Sequence, residues 1–173
     1  MFIDLALITA CVVAGVSPKT TAAIIRHESG GGPLAFHVNG AGLPVAHPKS
    51  GEELLRLAKA AIDAVHSVDI GLMQINVRQQ ADLVARGKAL IDPCNNISAG
   101  SKILQDGYAA AVQSMPPGQG ALDRALSRYN TGNGISGFAN GYVTKVRAAA
   151  GIQSEFAATT YSAPLNVYHR TGQ

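Results

Sequence analysis

Hydrophobic positions recur at helical spacing along most of the chain. Residues 2–14 are apolar and closed by Gly15, which predicts a buried first helix. Ser17-Pro18 supplies a hydroxyl N-cap and then proline at the first helical position. With an apolar stripe through Ala22, Ala23 and Ile25, this predicts a helix over 18–29, ended by Gly30-Gly31-Gly32-Pro33. The period then shortens. Phe36, Val38, Leu43 and Val45 alternate around Asn39-Gly40, the pattern of a small irregular hairpin. Ser50-Gly51-Glu52-Glu53 is a capping box opening a helix to about His66, with Leu54, Leu57, Ala58, Ala61, Ile62 and Val65 as its apolar stripe.

Val68-Asp69-Ile70 is β-prone and offers a third strand. Gly71-Leu72-Met73-Gln74-Ile75-Asn76 then leads into a helix from about 77 to 86. After Pro93, Asn95 or Asn96 caps a helix reaching about Met115, where Pro116-Pro117-Gly118 forces a turn. Helices follow over about 120–129 and 137–150, separated by Asn130-Thr131-Gly132-Asn133-Gly134. Residues 152–173 carry no apolar period and read as a surface tail or interaction arm. No internal repeat is present. The expectation is a mainly α, α+β domain over 1–151 with a hairpin or three-stranded sheet, followed by the tail.

Composition narrows the class. The chain is 47% hydrophobic and 14% charged, against roughly 25% charged in ordinary soluble domains, which argues against disorder and for a compact, apolar helical body. The net charge of +3 comes without a basic run, so a nucleic-acid partner is not indicated, whereas an anionic polymer is tolerated. No apolar run reaches the roughly 18 residues of a membrane span. Phe2 to Val16 imitates a signal peptide, but it contains Asp4 and no Lys or Arg, so a buried helix is expected and no export signal is evident. Cys11 and Cys94 are compatible with one disulfide in an oxidising compartment, or with two buried thiols.

The candidate chemistry centres on Glu28. At a helix C-terminus the macrodipole disfavours an anion, and isoleucines stand close in sequence. Both effects raise a carboxyl pKa, as a general acid requires near neutral pH; the plain alternative is a solvated glutamate in a last turn. Gly132-Asn133-Gly134-Ile135-Ser136-Gly137 satisfies GxGxxG but follows a helix, not a strand, so no dinucleotide site is expected. Histidines 27, 37, 47, 66 and 169 show no metal-ligand spacing, and neither metal nor cofactor is expected. Gln74, Tyr129 and Asn130 are polar groups at the ends of apolar elements. Amides and aromatic faces of this kind fit a carbohydrate groove.

Glu28-Ser29-Gly30, Gly71-Leu72-Met73-Gln74-Ile75-Asn76 and Arg128-Tyr129-Asn130-Thr131-Gly132-Asn133 resemble the three motifs of the lysozyme-like lytic transglycosylases. Within them the chain is most similar to the VirB1-like transglycosylases of type IV secretion systems. Val38-Asn39-Gly40, Asp92-Pro93-Cys94 and Gly137-Phe138-Ala139-Asn140-Gly141-Tyr142-Val143 add to the likeness, which covers about residues 5–148. The resemblance implies a lysozyme-like helical bundle around a cleft. It implies Glu28 as catalytic acid, Gln74, Tyr129 and Asn130 lining glycan subsites, and Cys11 paired with Cys94. Arg128 stands where relatives often carry Cys, and Gly31-Gly32 replaces the more usual Phe-Asn. The implied reaction cleaves peptidoglycan between N-acetylmuramic acid and N-acetylglucosamine, closing a 1,6-anhydro ring, in the periplasm beside a secretion or conjugation apparatus. The tail is a candidate contact with that apparatus. In this setting Asp69 orients glycan or Glu28 by hydrogen bonding. Two rivals stand beside it: a hydrolytic muramidase with Asp69 as second carboxylate, and a weakly active peptidoglycan-binding assembly protein.

Overall fold

The computed structural model describes residues 4–40, 46–78, 81 and 83–151. Its helices and strands run α1 (Leu5–Cys11), α2 (Pro18–Ser29), β1 (Phe36–Asn39), α3 (Gly51–Asp63), β2 (Ser67–Ile70) and β3 (Ile75–Val77). A π-helical turn over Leu83–Gly87 leads into α4 (Lys88–Ile91), α5 (Pro93–Ala111), α6 (Gln119–Thr131), α7 (Ser136–Ala139) and α8 (Tyr142–Ala149). The class is mainly α, with one small antiparallel sheet ordered β1-β2-β3, the α+β composition of the lysozyme-like fold. Among the described residues no helix is long and apolar enough to cross a membrane. The described residues fall into two compact units. Those up to Cys11 with Glu28–Gly100 form the first; Val12–His27 with those from Ser101 onward form the second.

In the first unit, strand periodicity sorts the sheet into two faces. Phe36 pairs with Ile70 and Ile70 with Ile75, while Val68 pairs with Val38 and Val77; Phe36, Val68, Ile70, Ile75 and Val77 are all buried. The opposite face carries His37, Asp69 and Asn76 in register, with Asn39 opposite Ser67. Helix α3 buries Leu54, Ala58 and Ile62, one residue per turn. Its capping box is half as expected: Glu53 N donates to Ser50 Oγ at 3.1 Å, but Glu53 Oε2 accepts from Lys49 N, one residue beyond the cap. The Sγ atoms of Cys11 and Cys94 are bonded, with Cα atoms 5.0 Å apart, joining the end of α1 to the first turn of α5. A crosslink closing a loop of this length stabilises by about 2–4 kcal/mol. Reduction, or Cys11→Ala with Cys94→Ala, is therefore expected to lower the urea midpoint accordingly. Thiol titration of unfolded, unreduced protein should find no free thiol.

Several boundaries differ from expectation. Phe36–Asn39, the first half of the expected hairpin, pairs with β2; its second half, with Leu43 and Val45, lies outside the described residues. Instead of a helix from 77, Ile75, Asn76 and Val77 continue as β3, because burial alternates along them with a period of two. Asp92, not Asn95 or Asn96, caps α5: its Oδ1 accepts from Asn95 N at 2.9 Å. Helix α5 stops at Ala111, short of Met115, and α3 at Asp63. The last helix is split into α7 and α8 at Gly141, whose φ of +79° no helical residue adopts.

In the second unit the buried side chains are Ile24 and Ile25 of α2, Leu104 and Tyr108 of α5, Leu122 and Leu126 of α6, and Tyr142, Val143 and Val146 of α8. Gly107 lets α5 approach α6 closely, since a Cβ there would meet Ala125 O at 3.3 Å. The hydroxyl of buried Tyr108 accepts from Gly118 N at 3.0 Å, at the entry to α6.

Candidate active site

Helix α2 ends where its sequence requires. Gly30 and Gly31 adopt φ of +59° and +89°, conformations costly for residues with a Cβ. Glu28 is thereby fixed in the last turn, half-buried. Its neighbour Ser29 accepts from Gly31 N at 3.2 Å and donates to Leu72 O at 2.8 Å. One hydroxyl therefore ties the helix end carrying Glu28 to the turn between β2 and β3.

That turn, Gly71–Gln74, is held from inside. Gly71 has φ +79° and donates its N–H to Ala35 O at 2.8 Å. Gln74 also has positive φ, +47°, unusual for a residue with a side chain. Its Nε2 donates to Gly71 O at 2.9 Å and Ala35 O at 3.2 Å, so the amide hydrogens stabilise the turn. The amide oxygen is what Gln74 offers a ligand. Asn96, 1% exposed, completes the support: Oδ1 accepts from Met73 N at 2.8 Å, and Nδ2 donates to Ile70 O and Leu90 O, each at 2.9 Å. The fit is close, since a Cβ on Gly71 would lie 2.3 Å from Asn96 Nδ2.

Asp69 sits on β2 between two amides. Asn39 Nδ2 donates to Oδ2 at 2.9 Å and Asn76 Nδ2 to Oδ1 at 2.5 Å, while Arg78 Nε donates to Asn76 Oδ1 at 2.8 Å. Both carboxylate oxygens are engaged across the strands, forming a polar row on the open face of the sheet. Asn39, Asn76 and Ser29 stand within recognised motifs, yet their partners are invisible in sequence. It is the strand register that puts Asn39, Asp69 and Asn76 on one face.

Tyr129 and Asn130 belong to the second unit, in the last turn of α6. Gly132 caps that helix at φ +77°, donating to Arg128 O at 2.8 Å. Asn130 Oδ1 accepts from Asn140 Nδ2 at 2.8 Å, and Asn140 Oδ1 accepts from Tyr142 N at 3.0 Å. Ser127 Oγ donates to Asn133 O at 2.8 Å and accepts from Gly137 N at 2.9 Å. Gly137 is needed there because a Cβ would fall 2.6 Å from Ser127 Cα. The glycine-rich stretch that imitates a dinucleotide fingerprint thus serves backbone packing at the end of α6. Glu28, Asp69 and Gln74 lie in one unit, and Tyr129 and Asn130 in the other.

His27 meets Tyr142 edge-on, ring centroids 5.1 Å apart. Burial, then the charge of Lys145, pushes its pKa below the ordinary value. The folded state therefore binds fewer protons than the unfolded state in that range, and stability falls as pH drops below about 6.5. His27→Gln should flatten the decline of Tm between pH 7 and 5. An equally steep decline in the variant would assign it to other groups. Asp123, raised by burial against bonds from Gln119 and Arg147, has the opposite sign, gaining stability as its carboxylate protonates.

A model of the transglycosylase SLT domain matches residues 7–150. Protein virB1 of Rhizobium radiobacter is 42% identical over 135 residues, 78% of this chain and 56% of that protein. Protein virB1 of Agrobacterium fabrum is 39% identical over 135 residues, 78% of this chain and 54% of that protein. Type IV secretion system protein virB1 of Brucella abortus is 36% identical over 146 residues, 81% of this chain and 61% of that protein. The chain thus spans between half and two thirds of the length of these relatives. No solved structure matches.

Proposed function

Because the chain belongs to the transglycosylase SLT domain family, we propose that it is a peptidoglycan lytic transglycosylase with Glu28 as its single acid and base. The observation that carries this reading is the Ser29–Leu72 bond, which fixes the end of α2 against the Gly71–Gln74 turn. A carboxyl group is thereby held beside a turn that presents an amide oxygen to a sugar. Glu28 donates its proton to the oxygen linking N-acetylmuramic acid C1 to N-acetylglucosamine. The muramyl N-acetyl oxygen supports C1 as that bond breaks. Glu28, now a carboxylate, takes the proton of the C6 hydroxyl, and O6 bonds to C1. The ring closes, no water is consumed, and Glu28 ends as it began. Intramolecular attack carries an advantage of roughly 7–11 kcal/mol in well-oriented cases. Gln74, Tyr129 and Asn130 hold the glycan.

The hydrolytic alternative needs a second ionised carboxylate to activate water or attack C1. Asp69 is the candidate, but with each oxygen accepting from an asparagine amide it serves better as an ordered acceptor for orienting sugar. Asp69→Asn is therefore expected to stay active, losing well under the roughly hundredfold that removal of a general base costs. Products should keep 1,6-anhydromuramyl ends, lighter than hydrolysis products by about 18 Da, one water, because the nucleophile is intramolecular. An inactive Asp69→Asn together with ordinary reducing ends from the wild type would overturn the assignment. The likeness to a type IV secretion system protein supports the reading that this cleavage opens the wall locally, in the periplasm, for a secretion or conjugation apparatus. A binding-only role predicts glycan binding without new chain ends, which the same mass spectrum separates.

A further inference from the structure

The second unit holds a cavity of about 320 Å³ whose lining includes Met115, Ile135 and Phe138 and none of the residues proposed to act on the glycan. Ile135 and Phe138 are 69% and 47% exposed. Two guanidinium groups stand beside it. Arg124 and Arg128 are one turn apart on α6, and both are exposed. They converge over Gly134, where an added methyl would lie 3.7 Å from Arg128 Nε and 3.8 Å from Arg124 Nη1. Like charges at this spacing repel each other. Among the described residues neither arginine forms a salt bridge. The cavity's own acid, Asp123, is 8% exposed and accepts from Gln119 at 2.9 Å and Arg147 at 3.3 Å, so its charge is compensated from within.

We propose that this cavity and the Arg124–Arg128 pair form a docking site for an acidic segment of a partner protein. A bulky apolar side chain fills the cavity and flanking carboxylates meet the two guanidiniums. Each half of the arrangement constrains the occupant. A plain apolar ligand leaves two converging cations unanswered; a small anion leaves Ile135 and Phe138 uncovered. Planar guanidinium forks match carboxylates two bonds at a time, and arginine clusters beside apolar anchors are a recurrent way of reading acidic peptides. The volume lies at the low end for ligand pockets, suited to one large side chain.

The test titrates the full chain with the end-blocked peptide Asp-Glu-Phe-Asp-Glu, following the methyl signals of Ile135 and Met115 by NMR. Saturable shifts are expected, weakened by salt and absent with Lys-Lys-Phe-Lys-Lys. Affinity should fall at least tenfold in Arg124→Glu/Arg128→Glu and by less in the same direction in Arg124→Gln/Arg128→Gln. No shift at millimolar peptide, equal binding of the basic peptide, or charge-reversed protein that binds as well as wild type would each overturn the proposal. So would three other occupants. Signals that move with protein concentration identify a second copy. Tighter peptide binding after Glu155→Gln/Phe156→Ala identifies the chain's own tail. Shifts with phosphatidylglycerol vesicles but not with peptide identify a lipid surface. None of these readouts depends on wall cleavage.

Discussion

Glu28→Gln is expected to abolish peptidoglycan cleavage while the protein keeps its fold. Glutamine preserves the size of the side chain at the end of α2 and leaves intact the Ser29–Leu72 bond beside it. What it removes is the ability to give a proton to the departing oxygen and to take one back from the C6 hydroxyl. Both duties fall on one group in the proposed cycle, so no second residue compensates. Loss of a general acid or base costs about 10²- to 10⁴-fold in rate. The measurement is release of soluble muropeptides from purified sacculi, with circular dichroism and urea unfolding of the same preparation. A folded Glu28→Gln protein that cleaves at more than a tenth of the wild-type rate would remove Glu28 from its proposed role.

The helices were legible wherever an apolar stripe met a stop signal. Pro18 and the glycines after Ser29 delimit α2 at the residues observed. The sheet was less legible because its partners are not neighbours in sequence. Phe36–Asn39 reads as half of a local hairpin; among the described residues its partner is Ser67–Ile70, about thirty residues away, where Ile70 and Val68 continue its buried face. Local propensity cannot choose between a near and a distant partner; burial of a shared face decides. Val68-Asp69-Ile70 does form a strand, but Ile75–Val77 was missed for a related reason: three residues are too few to show a period.

Site chemistry was legible as residue types and opaque as bonds. Asp69 reads as a carboxylate near a motif, with nothing to say whether it stands free or clamped. Its two asparagine partners come from different strands, so the clamp exists only once the register is set. Asn96 shows the opposite failure. Following Pro93, it reads as a helix cap, and Asp92 has that role. A side chain one turn into a helix is free for another use, and here it points into the protein at the turn that Ser29 also grips.

That use makes Asn96→Leu the substitution with the largest expected effect on stability. Leucine matches the branching of asparagine, but its bulkier methyls crowd a site built on 2.8–2.9 Å polar contacts, and Met73 N–H, Ile70 C=O and Leu90 C=O lose their partner together. Met73 and Ile70 are fully buried and Leu90 nearly so, which keeps water from replacing the bonds. Leaving a buried polar group unsatisfied costs about 1–3 kcal/mol. With partial relaxation the total should reach about 3–5 kcal/mol, at the upper end for a single substitution. Asn96→Asp should fail as well: its carboxylate still accepts from Met73 but turns a negative oxygen toward two carbonyls. The consequence extends to function, because the Gly71–Gln74 turn carries the Leu72 carbonyl that anchors Ser29 beside Glu28. At temperatures where Asn96→Leu remains folded, cleavage should therefore be slower than in wild type. Urea unfolding decides the structural part. A loss below about 1 kcal/mol, the worth of a single hydrogen bond, would show that the turn holds its shape without Asn96.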